Sequence, residues 1–165
     1  FFKVTSIAVT SVTLTGSSTG LTNATATIAV TRTATALTFD SEPSTLNVGV
    51  CSSSFTITSR DGLGNPFSEN NKTVSLSSGG NGQFFTSLSD CQSGSNIRTS
   101  VAVSSASPSA ALFFKVTSIT VTSVNLTGSS TGLTNATATI AVTRTATALT
   151  FDSAPATLNV GVCSG

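Results

Sequence analysis

The sequence predicts an all-β protein, an antiparallel β-sandwich built as tandem repeats of 112 residues. Three observations predict it. Apolar residues alternate with Thr and Ser at period two, with Val, Ile and Thr dominating, which marks half-buried strands. Turn-forming clusters punctuate the alternating runs at intervals of roughly 8–12 residues, the rhythm of a sandwich. The chain also repeats itself, since residues 113–165 restate residues 1–53.

The repeat sets the organisation. Phe1-Phe2-Lys3-Val4-Thr5-Ser6-Ile7 returns as Phe113-Phe114-Lys115-Val116-Thr117-Ser118-Ile119, and the two blocks stay in register to Gly165. Only the pairs Ala8/Thr120, Thr13/Asn125, Glu42/Ala154, Ser44/Ala156 and Ser53/Gly165 differ, leaving 48 of 53 positions identical. A period of 112 is too long for a solenoid coil of about 20–50 residues and fits a whole small domain. The scattered differences read as drift after duplication. The expected division is residues 1–33 as the C-terminal part of a preceding repeat, 34–145 as a complete repeat, and 146–165 as the start of the following one. The chain therefore reads as a window on a longer polypeptide. The junction Thr143-Arg144-Thr145-Ala146 has neither Gly nor Pro, so successive repeats are expected to be joined stiffly.

Within one unit, strands are expected near 36–39, 46–49, 53–60, 72–77, 83–86, 97–103, 110–117, 120–127 and 135–143. In Ala24–Thr31, the even positions Ala26, Ile28 and Val30 form an apolar face and Thr25, Thr27 and Thr31 the opposite one. Turns are expected at Gly16–Ser18, Asp61–Pro66, Gly79–Gly82 and Ser105–Pro108. No stretch carries a sustained 3.6-residue apolar stripe, so helices are not expected.

Composition excludes much. The chain holds no His, Met, Trp or Tyr, and charged residues make up 8% of 165, against about 25% in average proteins. Without His, Ser-His-Asp and Cys-His catalysis and His-ligated metals are excluded. Seven basic residues at a net charge of +1 do not form a nucleic-acid surface. There is no apolar run of about 18 residues, so no membrane contact by this segment is expected. Catalytic residues, bound cofactors and metals are not expected.

The run Ala36-Leu37-Thr38-Phe39, then Leu46-Asn47-Val48-Gly49, Phe55-Thr56-Ile57 and Asp61-Gly62-Leu63-Gly64-Asn65-Pro66 resembles a bacterial immunoglobulin-like domain of the invasin/intimin type. The Thr-rich closing strand Thr134–Thr139 fits the same pattern. The resemblance implies an immunoglobulin-like sandwich serving as a stalk repeat at the cell surface or outside the cell, and it brings no catalytic residues.

Two elements have a local physical reading. In Asp61–Pro66, Asp61 can accept from backbone N–H groups two residues on, Gly62 and Gly64 permit positive φ, and Pro66 keeps the turn out of a central ladder. The rival reading, Asp61 and Asn65 as calcium ligands, lacks carboxylates, because only Glu69 and Asp90 could join them. Among the cysteines, Cys163 is the repeat image of Cys51, and the image of Cys91 falls beyond the chain, so the odd count follows from the window. A Cys51–Cys91 disulfide is expected, with Cys163 unpaired within the window, and this implies an oxidising compartment. The alternatives are a metal site without enough ligands and a catalytic thiol without a base.

The sequons at Asn23, Asn71, Asn125 and Asn135 are matches that a Thr-rich chain produces by chance. The Thr-x-Thr pairs, rather than an ice-binding array, read as strand faces, and the four Arg as solvated faces. The functional expectation is a structural repeat of an extracellular stalk, fibre or adhesin shaft. Its partners would be neighbouring repeats of the same polypeptide, or identical chains in a filament. The alternative is a carbohydrate- or receptor-binding module using interstrand loops, for which Phe84 and Phe85 are the available aromatics.

Overall fold

The computed structural model describes residues 1–6, 10–146 and 160. The expected start of a following repeat, apart from Ala146 and Val160, and Cys163 with it, lies outside the described residues. Eleven strands and one short helix are described. They are β1 (Ser11–Gly16), β2 (Ala24–Ala29), β3 (Ala34–Asp40), β4 (Thr45–Asn47), β5 (Phe55–Asp61), β6 (Lys72–Ser77), β7 (Gly82–Phe85), α1 (Leu88–Ser93), β8 (Ser100–Val103), β9 (Ser109–Val116), β10 (Ser123–Ser129) and β11 (Ala136–Thr143).

The strands from β3 onward form two sheets, ordered β3-β5-β9-β7 and β4-β11-β10-β6-β8. The protein is thus an all-β sandwich. Pairing is antiparallel except that short β4 runs parallel to β11, with Leu46 opposite Val142. The period-two alternation explains the layers. Leu37, Phe55, Ile57, Leu112, Phe114 and Val116 of one sheet meet Val74, Leu76, Val103, Val124, Leu126 and Ile140 of the other in a single core. The Phe84 and Phe114 rings meet at 4.9 Å between centroids, tilted by 54°.

Gly128 lets the two sheets approach, and Gly82 leaves room within its own sheet for the Phe114 ring of neighbouring β9. A Cβ on Gly128 would sit 2.2 Å from Ile57 Cδ1, and one on Gly82 would sit 2.3 Å from Phe114 Cζ. The two sheets differ in their outward surfaces. At the exposed positions of β4, β6, β8, β10 and β11 there are only Ser, Thr, Asn and Ala, among them Thr45, Thr73, Ser75, Asn125, Thr139 and Thr143. The other sheet carries an ionic network, in which Arg60 reaches Asp40 Oδ1 at 2.7 Å, Thr38 Oγ1 at 2.7 Å and the Gly64 carbonyl at 2.8 Å.

The helix corrects the expectation of strands alone. Leu88–Ser93 is too short to show an apolar stripe, and its ends make it a helix. The Ser87 hydroxyl accepts from the Asp90 amide at 3.1 Å, and Gly94 closes the far end at φ 71°. Hydrogen bonds from Ser87 and Asn96 hold the Asp90 carboxyl below its ordinary range against the opposing effect of desolvation. The strand expected at 97–103 starts only at Ser100, leaving Ile97 exposed.

β1 and β2 pair only with each other. Their register, Val12 opposite Ile28 and Leu14 opposite Ala26, is that of β10 and β11, where Val124 faces Ile140 and Leu126 faces Ala138.

Candidate functional site

Two places concentrate polar and covalent chemistry. The first is the Asp61–Pro66 turn after β5. Asp61 Oδ1 accepts from the Leu63 and Asn65 amides, both at 2.9 Å, and the Gly64 amide donates to the Asp61 carbonyl at 2.9 Å. Gly64 takes φ 83°, which a residue with a side chain adopts only under strain. Gly62 does not have positive φ, contrary to the sequence reading. A Cβ there would meet Thr35 Cγ2 at an ordinary 4.0 Å. Asn65 returns the chain to β5 by accepting from the Asp61 amide through its carbonyl at 3.0 Å, and Pro66 bridges to Arg60.

The turn has a partner that the sequence did not disclose. Arg32 donates to Asp61 Oδ2 through Nη2 at 2.7 Å and Nε at 3.0 Å, and Nη2 also lies 3.4 Å from the Pro66 carbonyl. Its guanidinium stands 4.1 Å above the centre of the Phe67 ring. Burial pushes the Asp61 carboxyl up, but the Asn65 and Leu63 amides and Arg32 outweigh it and hold the group below the usual carboxylate range. Two residues on, both carboxylate oxygens of Glu69 accept from the Ala34 amide at 3.2 Å. Arg32 and Arg60 are therefore engaged in ion pairs rather than solvated. The pairing joins residues 29 apart, a distance over which no short-range pattern operates. Beside it lies a cleft of about 280 Å³ lined by Val4, Val30, Arg32, Asp61 and Leu63.

The second place is the disulfide between Cys51 and Cys91, with Cα atoms 6.0 Å apart. Cys91 is fully buried on α1, and Cys51 bridges to Lys115 at the side of β9. The bond ties the helix to the segment leading into β5. That segment is also fixed by the Ser52 amide donating to the Phe114 carbonyl at 2.8 Å and by the Phe114 amide donating to Ser52 Oγ at 2.9 Å.

No group of three or more metal-ligating side chains occurs among the described residues. Asp61 spends its oxygens on two amides and an arginine, which leaves no ligand set for calcium around it. Phe84 and Phe85, the aromatics considered for loop recognition, are 3% and 0% exposed and belong to the interior. No helix among the described residues is long and apolar enough to cross a membrane.

No family model and no curated protein matches the sequence. Solved structures match the fold. A glycosyl hydrolase family 2 member from Bacteroides cellulosilyticus aligns with a TM-score of 0.51 at 15% identity, covering 82% of this chain and 18% of that one. A second structure of a family 2 member from Bacteroides cellulosilyticus DSM 14838 gives 0.51 at 15% identity over 81% of this chain and 18% of that one. Domains 4–9 of the surface layer protein SbsC align with a TM-score of 0.48 at 16% identity, over 79% of this chain and 18% of that one. The chain spans less than a fifth of the hydrolases, so the likeness speaks for a shared sandwich and not for their activity.

Proposed function

We propose that this chain is part of a tandem array of disulfide-stapled immunoglobulin-like repeats of the invasin/intimin kind, forming an extracellular stalk, fibre or adhesin shaft. Residues 34–145 make one complete repeat, 1–33 end the preceding one and 146–165 begin the next. The array's partners are its own neighbouring repeats, and identical chains where stalks bundle into a filament. Its work is mechanical, holding a distal tip away from the cell, and it needs no cofactor.

One observation carries the reading. The hairpin β1–β2 and the hairpin β10–β11 are the same sequence element, 112 residues apart, in the same register, and the first is joined to the sandwich by a short linker without Gly or Pro. The buried Cys91 in a disulfide supports an oxidising, extracellular location.

Electron microscopy of a polypeptide with several whole repeats tests the proposal. Strands of about 8–10 residues at about 3.3 Å each, plus end loops, predict a regular bead every 35–45 Å or so. Widely scattered angles between beads would instead favour independent modules and end the stalk reading.

A further inference from the structure

We propose that the Asp61–Phe67 turn is a docking socket for the linker of the preceding repeat, and that Arg32 is the plug that fixes one repeat against the next. The inference deepens the stalk reading and rests on its division of the chain into repeats. It identifies the contact that makes the junction stiff.

The backbone on either side of the plug leaves little freedom. The Val30 amide donates to the Thr10 carbonyl at 2.8 Å, extending the β1–β2 ladder to the end of the hairpin. Arg32 is then held by Asp61, the Pro66 carbonyl and the Phe67 ring, and the Ala34 amide is held by Glu69. Between the last hydrogen bond of the hairpin and the first contact of the socket, only Thr31 is unclamped.

The chemistry of the socket fits arginine and little else. A carboxylate fixed by two turn amides presents one oxygen to a planar fork, the Phe67 ring lies 4.1 Å from the guanidinium carbon, and a carbonyl takes a further N–H. Lysine would supply the charge but neither the two-nitrogen contact nor the stacking surface. The Asp61 side chain is 6% exposed and that of Arg32 27%, so the pair is sheltered from solvent on the acidic side.

The repeat carries the arrangement forward. Arg144 is the image of Arg32, in the same Val-Thr-Arg-Thr-Ala setting, and an image of Asp61 would fall past Gly165. Within the described residues Arg144 makes only a 3.4 Å contact to the Val121 carbonyl. On this proposal its partner is the socket of a following repeat.

The test uses the full 165-residue chain and backbone ¹⁵N relaxation. In the unmodified chain, amides of 11–29 should show order parameters near the rigid value of about 0.85, matching the sandwich. Arg32→Gln should drop those of 11–29 below about 0.6 while the sandwich's own amides stay rigid, with a modest fall in its melting temperature from the lost Asp61 ion pair. Arg32→Lys should fall with it. A hairpin that stays rigid in Arg32→Gln, or that is already mobile in the unmodified chain, overturns the proposal. Full rigidity in Arg32→Lys overturns the arginine-specific socket. These outcomes are separable from the stalk reading. Regular rods whose spacing survives Arg32→Gln would retain the stalk and reject the plug, whereas a working plug in flexible multi-repeat chains would do the reverse.

Discussion

The hairpins β1–β2 and β10–β11 differ at one position, Thr13 against Asn125, yet their surroundings are opposite. Leu14 is 38% exposed where Leu126 is 0%, and Ile28 is 46% exposed where Ile140 is 0%. A side chain on Gly16 would meet nothing within 4 Å, while one on Gly128 would strike Ile57. Register and turn are nevertheless the same in both. Gly20 and Gly132 take φ 80° and 79°, and Leu21 and Leu133 donate back to Ser18 and Ser130, each at 3.2 Å. Register in this element is thus set locally, by alternation and by the turn glycine. Burial and tight packing are set by the strands that cover it. A two-stranded ribbon alone is marginal in water, so the first copy owes its order to whatever covers or anchors it.

Three experiments would break or sharpen that contrast. The largest effect should come from the disulfide. Replacing Cys51 and Cys91 together with Ser opens a 40-residue loop and should cost the sandwich about 4 kcal/mol. Cross-strand contacts between Val12 and Ile28 should persist while the sandwich stays folded and be lost with it in a denaturant titration, and contacts that outlast the sandwich midpoint would mean that the first hairpin holds itself. Next, Ile140→Ala should destabilise by about 3 kcal/mol by leaving a cavity, whereas Ile28→Ala should change stability by less than about 0.5 kcal/mol. Equal effects in thermal melts would show that the first hairpin is covered in solution.

The smallest effect concerns acid. The Asp61, Asp40 and Asp90 carboxyls are all held below their ordinary range. At Asp40 burial opposes the shift, and Thr58, Arg60 and Thr38 outweigh it. Because the folded values are depressed, the stabilisation they give is complete above the ordinary Asp value of 3.8 and is lost as pH falls through the lower folded values. Neither hairpin contains an acidic residue. Acid should therefore loosen the turn and helix before it disturbs the strand pairing within either ribbon, as residue-resolved amide signals would report. Ribbon loss preceding that of Leu63 and Asn65 would contradict it.

The parts legible in the sequence were those with short-range rules. Period-two alternation marks β6 at 72–77 to the residue, and β9 and β11 to within a residue. The six residues of α1 escaped because they are too few to show a helical period. The signals that could have found them are Ser87 with Asp90 three residues on and Gly94 at the far end. The sequence carries no sign of the Arg32 ion pair, because its partner lies 29 residues away in a different element and only the closed fold brings them together. The demand on Gly128 is equally non-local, since its twin Gly16 has the same neighbours in sequence and open space around it.

The exposed face of the five-stranded sheet bears only Ser, Thr, Asn and Ala. Its wetting comes from neutral hydroxyl and amide groups, which do not titrate in ordinary water and which dissolved ions do not screen. The water layer on that side should thus be the same in brine, in fresh water and across a wide span of acidity. The opposite sheet, with its Arg60–Asp40 pair, has no such indifference, so changes in the medium act on the two sides of the sandwich unequally.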